Sequence, residues 1–206
     1  MILYLHGFAS GPRSKKGVAV EEHFASRGVP VRRLDLRVPS FEHLRLSAMM
    51  EVVEGAMRGE EDVVLMGSSL GGLCAAKVAA RHPRVRRVVL LAPAFELARR
   101  WRARDPEGAA RWEREGWLTV TDHTTNLPAR VDVGFLRDVE AVGDGFTAVH
   151  APTLVIHGRH DDTVGIETSR LFAAGSPMVR LVEVDDGHEL VESLPRILGE
   201  VEGHLR

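Results

Sequence analysis

Val63-Val64-Leu65-Met66-Gly67-Ser68-Ser69-Leu70-Gly71-Gly72 decides the fold. Four apolar, strand-type residues run straight into Gly67-Ser68-Ser69-Leu70-Gly71, a G-x-S-x-G pattern centred on Ser69. From Leu70 to Arg81 the apolar spacing becomes that of a helix. Ala75, Ala76 and Ala79 are small enough to let that helix lie close to a sheet. A serine at such a strand–turn–helix junction presents its hydroxyl above the carboxyl edge of a parallel sheet. The turn is sharp, so small residues must flank it, and Gly67, Gly71 and Gly72 do. The helix behind the serine offers unpaired N–H groups and partial positive charge. In a chain with 20 glycines the pattern also arises by chance, as a glycine turn with an N-capping serine. Its place between strand and helix favours Ser69 as a nucleophile. Ser68 sits off the centre of the pattern and is read as a neighbour.

Outward from this junction, short apolar runs alternate with amphipathic stretches. Ile2–Leu5, Val31–Leu34, Val63–Met66, Val88–Leu91, Thr153–Ile156 and Val179–Val184 are of strand length and mostly lack strict alternation. Strands buried on both faces read this way. Helical patterns over Lys16–Arg27, Phe41–Arg58, Leu70–Arg81, Glu167–Ala173 and Leu190–Glu202 lie between or after them, with Gly28, Gly59 and Pro83 as stops. The alternation predicts an α/β architecture: a mostly parallel sheet of about six strands with helices on both faces. Residues 95–150 break the rhythm. They hold all three tryptophans and two short strand-like runs, Trp117–Thr121 and Arg130–Val133. This stretch is too short and too charged for a core of its own, so it is read as an insertion within one domain of residues 1–206.

Composition narrows the function. Charged residues make up 27% and the net charge is −2, so no global basic field exists to gather nucleic acid or an anionic membrane. No apolar run approaches the roughly 20 residues of a spanning helix. Met1-Ile2-Leu3-Tyr4-Leu5-His6-Gly7 has no basic stretch and no small-residue cleavage site, so a leader peptide is not expected. The single cysteine, Cys74, forms neither an internal disulfide nor a thiolate metal site. A soluble cytoplasmic protein is expected; the oligomeric state is left open.

Three further segments complete a site. His6-Gly7-Phe8-Ala9-Ser10-Gly11 follows the first strand. Acyl transfer builds negative charge on a carbonyl oxygen, which preorganised N–H donors must meet. The backbone N–H groups of Leu70 and Phe8 are the expected pair, with Gly7 allowing close approach. His6 is a rival base, but its plainer role is to order this loop. His157-Gly158-Arg159-His160-Asp161-Asp162-Thr163-Val164 follows a late strand, and its H-G-x-x-D-x-x-V spacing selects Asp161 as the acid, with Asp162 as rival. Asp185-Asp186-Gly187-His188-Glu189 follows the last strand and offers His188 as the base. A serine hydroxyl becomes nucleophilic when a neutral imidazole takes its proton and a carboxylate fixes that imidazole. The order Ser69, Asp161, His188 is the order expected on this architecture. His157, His160, Asp161 and Asp162 do not have the spacing of a metal site, and none is expected.

Together these residues resemble the α/β-hydrolase superfamily. The opening Tyr4-Leu5-His6-Gly7-Phe8-Ala9-Ser10-Gly11-Pro12, with Ser14 and Lys15-Lys16, resembles small bacterial YqiA-like esterases. The resemblance implies an α/β-hydrolase fold without the first antiparallel strands of larger members. It also implies hydrolysis of a small carboxylic ester or thioester without a cofactor. The alternatives are a lactonase or C–C bond hydrolase on the same fold, or a silent binding module, since fold does not fix function.

Phe95, Trp101, Trp112 and Trp117 fall in or beside the insertion, near the carboxyl edge where Ser69 opens. They either wall an acyl pocket or fasten the insertion down. Arg13, Lys15 and Lys16 either attract an anionic substrate group or form a solvated helix start.

Overall fold

The first half of the chain alternates regularly. In the computed structural model, which describes residues 1–206, it runs β1 (Ile2–Leu5), α1 (Lys15–Ala25), β2 (Val31–Leu34), α2 (Leu46–Ala56), β3 (Val63–Ser68), α3 (Leu70–Arg81) and β4 (Val85–Leu91). The insertion follows as α4 (Leu97–Arg104), α5 (Pro106–Glu115), β5 (Trp117–Asp122), β6 (Leu127–Asp132) and α6 (Gly134–Val142). The chain closes with β7 (Thr153–Gly158), α7 (Glu167–Ala174), β8 (Val179–Val184) and α8 (Leu194–Leu205).

Six strands form one parallel sheet in the order β2-β1-β3-β4-β7-β8, and β5 and β6 form a separate antiparallel hairpin. The near-continuous apolar runs follow from burial on both faces. Leu3, Leu5, Leu65, Leu90 and Val155 point into a core shared with α2, α3 and α7. Ile2, Tyr4, Met66, Val89, Leu154 and Ile156 point into a second core under α1 and α8. The chain leaves β1 towards β2 on one side and returns to β3 on the other. The loops after β1 and β3 therefore diverge, and a crevice forms at the carboxyl ends of the strands where the order reverses. No helix is long and apolar enough to cross a membrane.

Two helix starts depart from the apolar pattern. α2 starts at Leu46 rather than Phe41, because the Glu42 carbonyl accepts instead from the Asp132 N–H of the insertion, at 2.8 Å. α8 starts at Leu194 rather than Leu190. Residues 190–193 form a turn whose Ser193 N–H goes to Asp186 Oδ2, and Pro195 then opens the helix. The insertion's α4, α5 and α6 have no counterpart among the expected helical stretches.

The insertion has no separate core: Trp112, Val131, Phe135, Leu136 and Val139 belong to the larger sheet core. Polar contacts dock it on the start of α2. Arg45 forks onto Asp132 at 2.7 and 3.0 Å, and the Ser47 N–H and hydroxyl both donate to Asp138. From β4 it therefore reaches back to the loops after β1 and β2.

Candidate active site

Ser69 stands between β3 and α3 with φ +53° and ψ −115°, a left-handed setting that an L-residue avoids unless its surroundings impose it. The flanking glycines show what imposes it. A Cβ on Gly67 would come within 2.1 Å of the Gly71 carbonyl oxygen, and one on Gly71 within 2.2 Å of the Leu5 oxygen. The first turn of α3 is thus pressed onto the ends of β1 and β3, where side chains at those two positions would not fit. The Ser69 N–H goes to the Leu91 oxygen at 2.8 Å, and Ser69 O accepts from Ala94 N at 3.0 Å. Its hydroxyl makes no capping bond to α3, so it is free to face outward.

It faces His188. His188 Nε2 lies 3.1 Å from Ser69 Oγ, and His188 Nδ1 lies 2.7 Å from Asp161 Oδ2. The carboxylate accepts at Nδ1, so that nitrogen carries the proton and Nε2 is left to accept from the serine. The loops carrying the two residues touch directly. A Cβ on Gly158 would meet the Asp186 oxygen at 2.3 Å, and the His160 N–H donates to that same oxygen at 3.0 Å.

Asp161 is held on every side. Oδ1 accepts from the Thr163 and Val164 N–H groups at 2.9 and 2.7 Å. Oδ2 accepts from His188 and from His157 Nε2, the latter at 3.1 Å. Burial alone would raise this carboxyl's pKa. Donation from His157, His188 and Val164 outweighs it and holds the group well below the usual carboxylate range. His157 is wholly buried, with Nδ1 on the Ser169 hydroxyl at 2.7 Å and Nε2 also 2.8 Å from the Val164 oxygen. The sequence reading gave His157 no function, although it opens the H-G-x-x-D pattern that selected Asp161. Asp162, the rival acid, is exposed and bonds only the Thr163 hydroxyl beside it.

The expected oxyanion donors border Ser69. A Cβ on Gly7 would lie 3.4 Å from Ser69 Cβ, so the turn after β1 runs against the serine. The Phe8 N–H makes no hydrogen bond within the chain. Leu70 opens α3, where amides have no partner inside the helix. His6 does not join Ser69. It is buried, its Nε2 accepts from the Leu36 N–H at 3.0 Å and its Nδ1 lies 2.9 Å from the Gly7 oxygen, so it ties the turn to the loop after β2. Cys74 is no competing nucleophile, since burial pushes its thiol up to about 12.

The four aromatics do not form one wall. Trp101 meets Phe8 edge-on at 5.3 Å between ring centroids, and is the one that reaches the turn after β1. Phe95 is fully buried against Phe146 and Phe172. Trp112 is buried, with its Nε1–H on the Val131 oxygen at 3.1 Å. Trp117 lies on the hairpin with the Arg130 guanidinium 4.6 Å over its ring. Phe8, Leu36, Leu44, Met49 and Leu70 line a small, mostly apolar recess behind the turn after β1.

Sheet order, serine turn and the placement of the loops define an α/β-hydrolase fold. The chain belongs to the uncharacterised protein family UPF0227, whose model matches residues 1–198. A comparison with curated proteins finds no match. Among solved structures it is similar to alpha/beta hydrolase domain-containing protein 10 from mouse, with TM-score 0.82 and 22% identity over 99% of this chain and 88% of that one. It is also similar to Est1E from Butyrivibrio proteoclasticus with ferulic acid bound, with TM-score 0.79 and 24% identity over 99% and 87% of the two chains. The enol-lactonase from Burkholderia xenovorans LB400 matches with TM-score 0.69 and 21% identity over 99% of this chain and 90% of that one. At these identities the likeness is one of fold.

Proposed function

We propose that the protein is a serine hydrolase that cleaves a small carboxylic ester or thioester through an acyl-enzyme. The observation that carries this reading is the unbroken hydrogen-bond line from Ser69 Oγ through His188 to Asp161, anchored on a strained turn. His188 Nε2 takes the serine proton as Oγ attacks the acyl carbon. The oxygen that becomes negative is met by the Phe8 and Leu70 N–H groups. His188 then hands its proton to the departing alcohol or thiol. A water follows the same route to release the acid and free Ser69. Asp161 keeps the proton on Nδ1 throughout and stabilises the imidazolium as it forms. No step calls on a group from outside the chain other than substrate and water.

Two neighbours of this fold support ester chemistry: Est1E, solved with ferulic acid, and an enol-lactonase, whose substrate class is an ester closed on itself. A fluorophosphonate probe tests the reading. One adduct on Ser69, abolished in Ser69→Ala, is expected; an adduct on another serine, or none, overturns it. A panel of matched esters and thioesters across acyl lengths then identifies the leaving group and chain length.

A further inference from the structure

Lys16 takes no part in this chemistry, yet only 8% of its surface is exposed. An ammonium taken out of water is costly unless its protons find acceptors. Burial lowers its pKa, opposed in part by Glu189. Its Nζ donates to the backbone oxygen of Glu189 at 2.8 Å, and the Glu189 carboxylate lies 3.6 Å away on a largely exposed side chain.

That backbone oxygen belongs to the peptide joining Glu189 to Leu190. Leu190 is fully buried and has φ +54°, a left-handed setting unfavourable for a branched residue. Such a conformation persists only where its surroundings over-determine it. His188 lies immediately before Glu189. Asp186 fastens the leading end of this turn: its side chain accepts from the Gly187 and Ser193 N–H groups, and its carbonyl from His160 N–H. Lys16 supplies the long-range side-chain bond at the 189–190 end. Lys16 is itself rigidly placed. Ser14 caps α1 by accepting from the Gly17 N–H, and a Cβ on Gly17 would strike the Tyr4 ring at 2.8 Å, so the first turn of α1 lies flat on β1.

We propose that Lys16 is a positioning residue: its buried ammonium holds the Glu189–Leu190 peptide and so keeps His188 in line between Ser69 and Asp161. The inference rests on the serine-hydrolase reading above. Lys16→Met keeps the apolar stem and removes the donor, while Lys16→Arg keeps a donor. With p-nitrophenyl acetate, Lys16→Met should lose about 10- to 100-fold in kcat with KM within twofold, the scale of a catalytic group displaced by about 1 Å. Lys16→Arg should retain more of kcat than Lys16→Met. Hydrogen exchange in Lys16→Met should quicken over residues 186–193 while the sheet stays protected. Wild-type kcat in Lys16→Met overturns the proposal. So does a loss of kcat with exchange quickened evenly along the chain, which marks a merely structural lysine. If the wild-type protein gives no Ser69 adduct, the hydrolase reading falls on its own account, and the exchange pattern still decides whether Lys16 holds the turn.

Discussion

His157 donates its Nε2 proton to Asp161 Oδ2 across 3.1 Å, and both side chains are wholly buried. The carboxylate that orients His188 is therefore itself oriented by a second imidazole, which Ser169 and the Val164 carbonyl hold in turn. His157→Leu should leave the Asp161 charge short of a donor and free to turn. A loss of about 10- to 100-fold in kcat is expected, together with about 1–3 kcal/mol of stability. His157→Gln, whose amide can still donate, should recover part of both. Steady-state kinetics and denaturant unfolding of the two variants check this, and equal losses would refute it.

Asp161 and Asp162 are adjacent but separable. Asp161→Asn keeps the shape of the site and replaces an acceptor with a group that can donate, which favours the wrong His188 tautomer. The loss should approach the ~10⁴-fold seen for such a change in serine proteases. Asp162→Asn touches one exposed hydroxyl contact and should change kcat less than about twofold. A larger loss for Asp162→Asn would reverse the assignment. In the same way Ser68→Ala should still form the fluorophosphonate adduct, and Ser69→Ala should not.

The sheet was legible because each central strand feeds two cores, which writes continuous apolar runs into Val63–Met66 and Thr153–Ile156. The serine turn was legible because Gly67 and Gly71 lie where backbones nearly touch. Ser69, Asp161 and His188 stand in loops more than twenty residues apart; the G-x-S-x-G pattern, the H-G-x-x-D-x-x-V spacing and the chain order, with a strand before each residue, point to them. The buried contacts of His157 and Lys16 were not legible, and Lys16 read only as a cation for an anionic substrate group or a solvated helix start. A buried polar residue is recognised by its partner, and Glu189 lies 173 positions from Lys16. The docking of the insertion was hidden for the same reason: Arg45 and Asp132 read as ordinary surface charges until the fold brings them together. The four aromatics carried no sequence mark separating Trp101, against the turn after β1, from Trp112, which is core.

His6 links the fold to pH. Burial lowers its pKa, against smaller opposing effects of Gly7 and Asp35, and its Nε2 can accept from Leu36 only when unprotonated. In the unfolded chain the ring titrates near ~6.5. A base whose pKa is lower in the folded state contributes stability that is complete above that value and lost as pH falls below it towards the folded pKa. The thermal midpoint should therefore fall between pH 7.5 and pH 5 by more in the wild-type protein than in His6→Gln, whose amide oxygen can accept at any pH. Parallel pH profiles for the two would show that His6 does not carry this sensitivity.

If the small recess behind the turn after β1 takes the acyl chain, it limits the acyl length. Leu36, Leu44 and Met49 line it together with Phe8 and Leu70, the two residues whose amides are proposed to hold the oxyanion. With the acyl chain in so small a recess, short and medium acyl groups are expected to be preferred. Met49→Val shortens one lining side chain at moderate cost to the core. If the recess takes the acyl chain, the ratio of kcat/KM for the octanoyl to the acetyl p-nitrophenyl ester should rise. Each added buried methylene contributes up to ~0.8 kcal/mol, about fourfold. Trp101→Ala should also move the ratio, because Trp101 backs Phe8. Trp112→Ala should lose about 3–5 kcal/mol of stability and leave the ratio unchanged, as expected of a core side chain whose Nε1–H is spent on Val131. If the ratio stays fixed in both Met49→Val and Trp101→Ala, the acyl chain lies elsewhere.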